Sequence, residues 1–257
     1  MTGGTDRPRV LVTGASRRVG RAISLRLARR GCEVVLHCRR RNDEIDALRR
    51  EIEAVSGAPR ATVAELDLGD PSALEAFVRS HADGPWDGLV LNAASYARFD
   101  APDDAASLAS AALRDSQAHF RVNAAASLAL SLGLSAALAR SARAGGGAIV
   151  ALGDMHSRGR PVRGFAPYLM SKAALGQMVD SLAIELAPRV RVNAVHPGVV
   201  AWPKDVPEQE RRAYESRVPL GRSGAPDDAA GAVEWLLLDA PYLTGVHLIV
   251  DGGRSLR

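Results

Sequence analysis

The sequence predicts an α/β fold: a doubly wound, seven-stranded parallel sheet with helices on both faces, in a single domain spanning residues 1–257. Three observations lead there. Short apolar runs alternate with helical patterns from end to end. These runs are rich in β-branched residues and nearly all apolar, which marks strands buried on both faces of a parallel sheet. No linker, repeat or low-complexity tract divides the chain. Right-handed crossovers between parallel strands then give double winding.

Each element follows in order. "RVLVT" is the first strand, and "RAISLRLARRG" is a helix that Gly31 stops at its C′ position. "EVVLHC" is the second strand, followed by the helix "DEIDALRREIEAVSG", stopped by Gly57. "ATVAELDL" is the third strand; Asp70 then caps a helix opened by Pro71. "DGLVLNA" is the fourth strand, and a long helix covers about 114–141. "GAIVALGD" is the fifth strand, a helix spans about 167–187, and "RVRVNAVHPG" and "GVHLIVDGG" are the sixth and seventh strands. Residues 197–226 carry Pro203, Pro207, Pro219 and Pro226 and read as an irregular substrate loop.

Composition narrows the function classes. With 257 residues, 47% apolar and 24% charged, the chain suits a globular enzyme-sized domain. No apolar run reaches a membrane span, and "MTGGTDRPR" has no signal-peptide core, so a cytoplasmic protein without membrane attachment is expected. Cys32 and Cys38 fit no metal spacing and read as reduced packing residues. The net charge of +4 is carried almost wholly by arginine, since only Lys172 and Lys204 are lysines. Without stacking aromatics or a reading motif, this charge does not predict a nucleic-acid partner. Two clusters need a local explanation: Arg17, Arg18 and Arg21, then Arg39, Arg40 and Arg41.

The first cluster lies in "TGASRRVG", directly after the first strand. Gly14 allows a tight turn and Gly20 a close backbone approach, and the helix behind them offers free N–H groups to a pyrophosphate. This is a Rossmann-type dinucleotide start. The second strand ends in His37, Cys38, Arg39 and Arg40, where an NAD site generally has an acid for the ribose hydroxyls. Arginine grips a 2′-phosphate as a fork, so NADPH is the expected cofactor. In "YLMSK", Tyr168 and Lys172 stand four apart on one helical face. The ammonium is expected to favour phenolate and to bring the tyrosine toward working pH. Asp154 and Asn92 end central strands at the ligand-binding rim. Asn123, a poor helix former, sits inside a helix and implies a hydrogen-bonding task.

Taken together, "TGASRRVG", "VLNAAS", "VNAAA", "YLMSK", "VNAVHPG" and "VDGG" resemble the short-chain dehydrogenase/reductase family over the whole chain. Ordinary members have glycine where Arg18 stands and a catalytic serine where this chain has Asp154. Arginine and aspartate at those places resemble the pteridine reductase branch, which includes parasite pteridine reductases and bacterial dihydromonapterin reductases. The resemblance implies a catalytic set of Asp154, Tyr168, Lys172 and Asn123, with Asn123 holding a water and Lys172. It implies that Gly14, Ser16, Arg17, Arg18, Gly20, His37, Arg39, Arg40, Asp67, Leu68, Asn92, Ala93, Pro197 and Gly198 line the cofactor together with Tyr168 and Lys172. Asp67 and Leu68 would meet the adenine. Arg18, Tyr96, Asp154, Tyr168 and Trp202 would meet the substrate, with Tyr96 stacking a pterin. Ala94 replaces a pterin-binding serine of some members. The spacing of 14 from Asp154 to Tyr168 is one longer than usual, with the extra residue placed near Gly159.

The expected activity is NADPH-dependent reduction of a pteridine or dihydrofolate C=N bond, with a small-molecule substrate and a homotetrameric assembly implied by the family. A carbonyl or 3-oxoacyl thioester reductase on the same scaffold is the alternative. A non-catalytic NADP(H) sensor is a third reading, which the intact Tyr168–Lys172 pair disfavours.

Overall fold

The computed structural model describes residues 7–55, 57, 59–203 and 205–257, so Lys204 and the first six residues lie outside the described part. The expected strands are β1 (Arg9–Val12), β2 (Glu33–Cys38), β3 (Thr62–Glu65), β4 (Gly88–Leu91), β5 (Gly147–Leu152), β6 (Val190–Pro197) and β7 (His247–Val250). They pair in parallel as one seven-stranded sheet in the order β3-β2-β1-β4-β5-β6-β7. The winding reverses between β1 and β4.

Alternation along each strand divides the core in two. Val10 and Val12 face α1 (Arg18–Arg29), α2 (Asp43–Glu53) and α9 (Pro226–Leu238), packing with Ile23, Leu27, Ile45, Leu48, Val233 and Leu236. Leu11 faces the other way, toward α3 (Pro71–His81), α5 (Ala126–Gly133), α6 (Ser135–Leu138) and α7 (Ala166–Glu185), with Leu74, Phe77, Leu130, Leu138, Val179 and Leu182. Asp70 caps α3 as expected, accepting from Ser72 N at 2.9 Å and Ala73 N at 3.3 Å. Gly31 takes φ +79° at the end of α1. Cys32 and Cys38 are buried and unpaired.

Much of the arginine is structural. Arg26 of α1 and Arg30 just past its end bind Asp227, Glu234 and Asp239 around α9 at 2.7–2.8 Å. The buried Arg191 guanidinium donates to the carbonyls of Leu236, Leu237 and Ala240 at 2.8–3.0 Å, closing the C-terminal end of α9.

Three sequence expectations change. The edge strands β3 and β7 are only partly buried, and Ile249 is exposed. The long helix begins earlier, as α4 (Ala105–Phe120) capped by Asp104, passes through a π-helical turn at Arg121–Ala125 and breaks again near Leu134. The 197–226 segment is not wholly irregular, since it contains α8 (Glu208–Glu215), a polar surface helix. The helix α9 follows it, capped by the Asp228 carboxylate accepting from Ala225 N at 2.8 Å.

The loop after β1 lies tight against β4. A Cβ on Gly20 would sit 2.1 Å from the Gly14 carbonyl oxygen and 2.6 Å from Asn92 Nδ2. Gly20→Ala is therefore expected to cost about 1–3 kcal/mol by overpacking. It should also weaken NADPH binding by about tenfold or more, equivalent to roughly 1.4 kcal/mol. Urea unfolding and fluorescence titration check the pair, and unchanged NADPH affinity would remove the loop from the cofactor site.

Candidate active site

The crevice opens at the C-terminal ends of β1 and β4, where helices leave to opposite faces of the sheet. Thr13 and Asn92 close its floor. Asn92 Nδ2 donates to the carbonyls of Thr13 and Gly14 at 2.9 and 3.0 Å, and Ala93 N donates to Thr13 Oγ1 at 3.0 Å. Asn92 and Ala93 thus hold the glycine loop in shape. His37 belongs to the same support. It is buried, its Nδ1 accepts from Gly14 N at 3.0 Å, and its Nε2 meets the Leu66 carbonyl at 2.8 Å. Both ring nitrogens are committed, the tautomer is Nε2–H, and burial draws its pKa below the usual histidine range.

A dinucleotide fits this cradle. Gly14 has φ +64°, and a Cβ there would meet the Ala93 Cα at 2.9 Å. Arg17 is the N-cap of α1 and makes no side-chain cap among the described residues, leaving the first N–H groups for a pyrophosphate. Ser16 is half-buried beside it. Arg18 has φ +50°, the left-handed region that favours glycine, which accounts for the glycine the family usually has there. Arg39 and Arg40 are exposed at the end of β2. Among the described residues neither has an acidic partner within ion-pair distance, whereas Arg41 is held by Asp46 at 2.7 Å. Two free guanidinium groups thus stand beyond β2, where a 2′-phosphate is expected. Asp67 is exposed past β3 with its Oδ1 on Gly69 N, and Leu68 is buried beside it. Pro197 ends β6, and Gly198 N donates to the Val250 carbonyl at 2.9 Å.

Across the crevice, α7 presents Tyr168 and Lys172 toward the end of β5. Tyr168 Oη donates to Asp154 Oδ2 at 3.0 Å. Asp154, not Met155, therefore faces the tyrosine. Its Oδ1 accepts from His156 N at 2.8 Å and starts a short 3₁₀ turn over Met155–Ser157, and Arg160 in the turns that follow has φ +52°.

The electrostatics correct one expectation. Tyr168 is pushed well above the ordinary phenol range, first by burial and then by the Asp154 carboxylate. The ammonium does not offset this: Lys172 spends a 2.6 Å hydrogen bond on the Leu152 carbonyl. Burial draws Lys172 down to about 8, against the pull of Asp154. Asn123 is anchored through its side chain. Its Oδ1 accepts from Ser95 N at 2.7 Å, and its Nδ2 donates to the Ser95 carbonyl and Ser171 Oγ at 2.9 Å. The π-turn thus fastens the segment after β4 to α7 through Ser171.

An aromatic wall surrounds the phenol. Tyr96 is 60% exposed, stands edge-on to Tyr168 at 4.9 Å between centroids and stacks on Phe165 at 5.3 Å. His119 approaches Tyr168 from another side at 5.9 Å. Burial raises the Tyr96 pKa, Asp154 adds to this and Arg18 opposes it, which places all three in one electrostatic neighbourhood. Trp202 is tied to the loop: its Nε1 donates to Ser223 Oγ at 2.9 Å and its ring packs on Tyr214. Phe165 and His119 escaped the sequence reading. Phe165 lies beside "YLMSK", and His119 precedes Asn123 by one helical turn.

A glycine loop at the switch point, facing a Tyr-x-x-x-Lys pair on the adjoining rim, defines a nicotinamide-dinucleotide-dependent oxidoreductase. Residues 14–255 match the family profile described as enoyl-(acyl carrier protein) reductase, and the chain belongs to the short-chain dehydrogenase/reductase family. It is 37% identical to the L-rhamnose 1-dehydrogenase (NAD(P)(+)) of Azotobacter vinelandii, over 95% of both chains. The enzyme of that name from a Sphingomonas species is 33% identical over 95% of this chain and 94% of its own. A short-chain dehydrogenase of Burkholderia cenocepacia, solved in complex with NADP, superposes with a TM-score of 0.82 at 33% identity, covering 96% of this chain and 97% of that one. These relatives carry sugar-dehydrogenase and general names rather than a pteridine-reductase one.

Two outcomes are expected. Arg18→Gly relieves a left-handed non-glycine backbone and should stabilise the ligand-free protein by about 1 kcal/mol while weakening NADPH binding. Thermal melts with and without NADPH check the opposite signs. Lys172→Met should abolish turnover yet raise the melting temperature of the ligand-free protein near neutral pH, because it removes a charge that burial penalises. The folded pKa of Lys172, about 8, is below its unfolded value of 10.5, so wild-type stability rises with pH across that window. The gain should be largest below about pH 8 and shrink toward pH 10.5, as melts across the range would show.

Proposed function

We propose that the protein is an NADPH-dependent reductase of a flat C=N heterocycle of the dihydropteridine or dihydrofolate type. The hydrogen bond from Tyr168 Oη to Asp154 Oδ2 carries this reading. Hydride addition to a carbonyl builds negative charge on oxygen, which a carboxylate at the rim opposes. Addition to a C=N bond proceeds best with the nitrogen protonated, and the same carboxylate favours that cation. The raised phenol pKa keeps Tyr168 as a proton donor.

When bound, NADPH supplies the hydride. Tyr168 and Asp154 hold the proton that the ring nitrogen takes up. Lys172, fixed on the Leu152 carbonyl, keeps a cation at the end of β5 and would meet the nicotinamide ribose. Asn123 and Ser171 lock α7 against the segment carrying Tyr96. Tyr96, with Phe165 behind it, offers an exposed face for stacking a planar ring. Arg18 would bridge cofactor phosphate and the acceptor edge of the heterocycle, and Arg39 and Arg40 would select the 2′-phosphate. Trp202 and the rest of 197–226 would form the outer wall of the substrate site.

The sugar-dehydrogenase names of the relatives favour a second reading, carbonyl–alcohol interconversion. Tyr168 would then exchange a proton with the hydroxyl oxygen, and Asp154 would accept from a neighbouring hydroxyl. A parallel assay separates the two: NADPH oxidation with dihydrobiopterin, dihydromonapterin, dihydrofolate and an acetoacetyl thioester, and NADP⁺ reduction with L-rhamnose. Turnover of a pterin or folate is expected, and Asp154→Ala should lower it by about 100-fold or more. Activity confined to the thioester or the sugar, or an Asp154→Ala variant that keeps wild-type turnover, overturns the proposal.

A further inference from the structure

Asp154 is held at its main chain as well as at its carboxylate. His196 on β6 is fully buried, and its Nδ1 lies 3.2 Å from the Asp154 carbonyl oxygen. Its Nε2 lies 2.8 Å from Nδ1 of His247 on β7. His247 Nε2 in turn lies 2.7 Å from Oδ1 of Asp180 on α7, whose side chain is 43% exposed. A continuous polar chain therefore runs from the surface to the main chain of the residue that faces Tyr168. Its inner end occupies space that the sequence leaves open: a Cβ on Gly153 would sit 2.3 Å from His196 Nδ1.

Counting hydrogens fixes its protonation. The Asp154 carbonyl only accepts, so His196 Nδ1 carries a hydrogen. The Asp180 carboxylate only accepts, so His247 Nε2 carries one. The contact between the rings needs a third, one more than two neutral imidazoles hold. The extra proton is balanced by Asp180. Burial draws His196 down to about 4, and Arg158 and Lys172 act in the same direction, whereas the Asp180 carboxylate lies 2.7 Å from His247 Nε2, so the geometry places the extra proton on the outer ring. His196 is then the neutral Nδ1–H tautomer. The groups facing the pair are Asp154 and Arg158 from the loop after β5, and Lys172 and Asp180 from α7.

We propose that His196, His247 and Asp180 form a singly protonated positioning relay that fixes the main chain of Asp154, and through it the Asp154–Tyr168 pair, for turnover. The relay serves a C=N or a C=O substrate alike. Once the extra proton leaves at higher pH, two neutral rings can fill only two of the three contacts. The Asp154 backbone then loses its anchor or the rings lose theirs.

The test uses the full-length protein with saturating NADPH. Histidine ¹H–¹⁵N spectra are expected to show, at pH 7, His196 as the neutral Nδ1–H tautomer and His247 as imidazolium. Asp180→Asn keeps the shape but removes the anion, so the His247 midpoint should fall by about one unit or more. On the substrate that turns over, the alkaline limb of the kcat profile should move down in pH by the same amount, with KM for NADPH unchanged. Two neutral rings in the wild type at pH 7 overturn the relay, and so does an identical alkaline limb in a folded Asp180→Asn variant. The wild-type spectrum needs no variant and no substrate. An intact relay without pterin turnover therefore sinks the substrate reading alone.

Discussion

Two polar side chains hold apart the strands on which the site depends. Thr13 and Asn92 stand where β1 and β4 part, and their hydrogen bonds tie the two strand ends to the glycine loop. The Thr13 hydroxyl donates to the Val90 carbonyl at 3.1 Å and accepts from the amides of Asn92 and Ala93 at 2.9 and 3.0 Å. A hydroxyl has one hydrogen and two lone pairs, so its capacity is full. Asn92 spends both amide hydrogens on the carbonyls of Thr13 and Gly14. The glycine loop, the open end of α1 and the approach of Gly20 all inherit their positions from this clamp. His37 adds a strut from beneath.

On the opposite wall, the balance of charge decides the chemistry. A phenol beside an ammonium would become a ready base. Here the ammonium turns to a backbone carbonyl, and the carboxylate takes the phenol's hydrogen bond. Burial amplifies this choice, because a second anion next to Asp154 has little water to shield it. The result is a wall that welcomes positive charge on a substrate and resists negative charge. That distinguishes Asp154 from the serine that the family usually carries there.

The sheet was legible because β-branched apolar runs have few other places to go; the Tyr168–Lys172 pair was legible because two rare residue types fall four apart, and Asp154 because it ends the fifth strand. Much of what stayed hidden depends on partners that lie far away along the chain. That His37 supports the glycine loop depends on Gly14 and Leu66, which claim both its nitrogens. The π-turn at Asn123 depends on Ser95 and Ser171, which lie 28 and 48 residues away. His196 and His247 are 51 apart and meet only because β6 and β7 pair in register. The helix α8 has no buried residue, so no apolar period announces it.

Tyr168, Lys172, Gly176 and Asp180 follow one another at four-residue steps along α7. One helical stripe therefore carries the proton donor, the buried cation, a side-chain-free gap beside Arg158 and His247, and the outer acid. The helix acts as a keyed shaft. Inserting one residue between Lys172 and Asp180 would turn one end against the other by about 100°, preserving every local preference while uncoupling the rim from the surface. Length is thus as strict a requirement on this helix as residue identity.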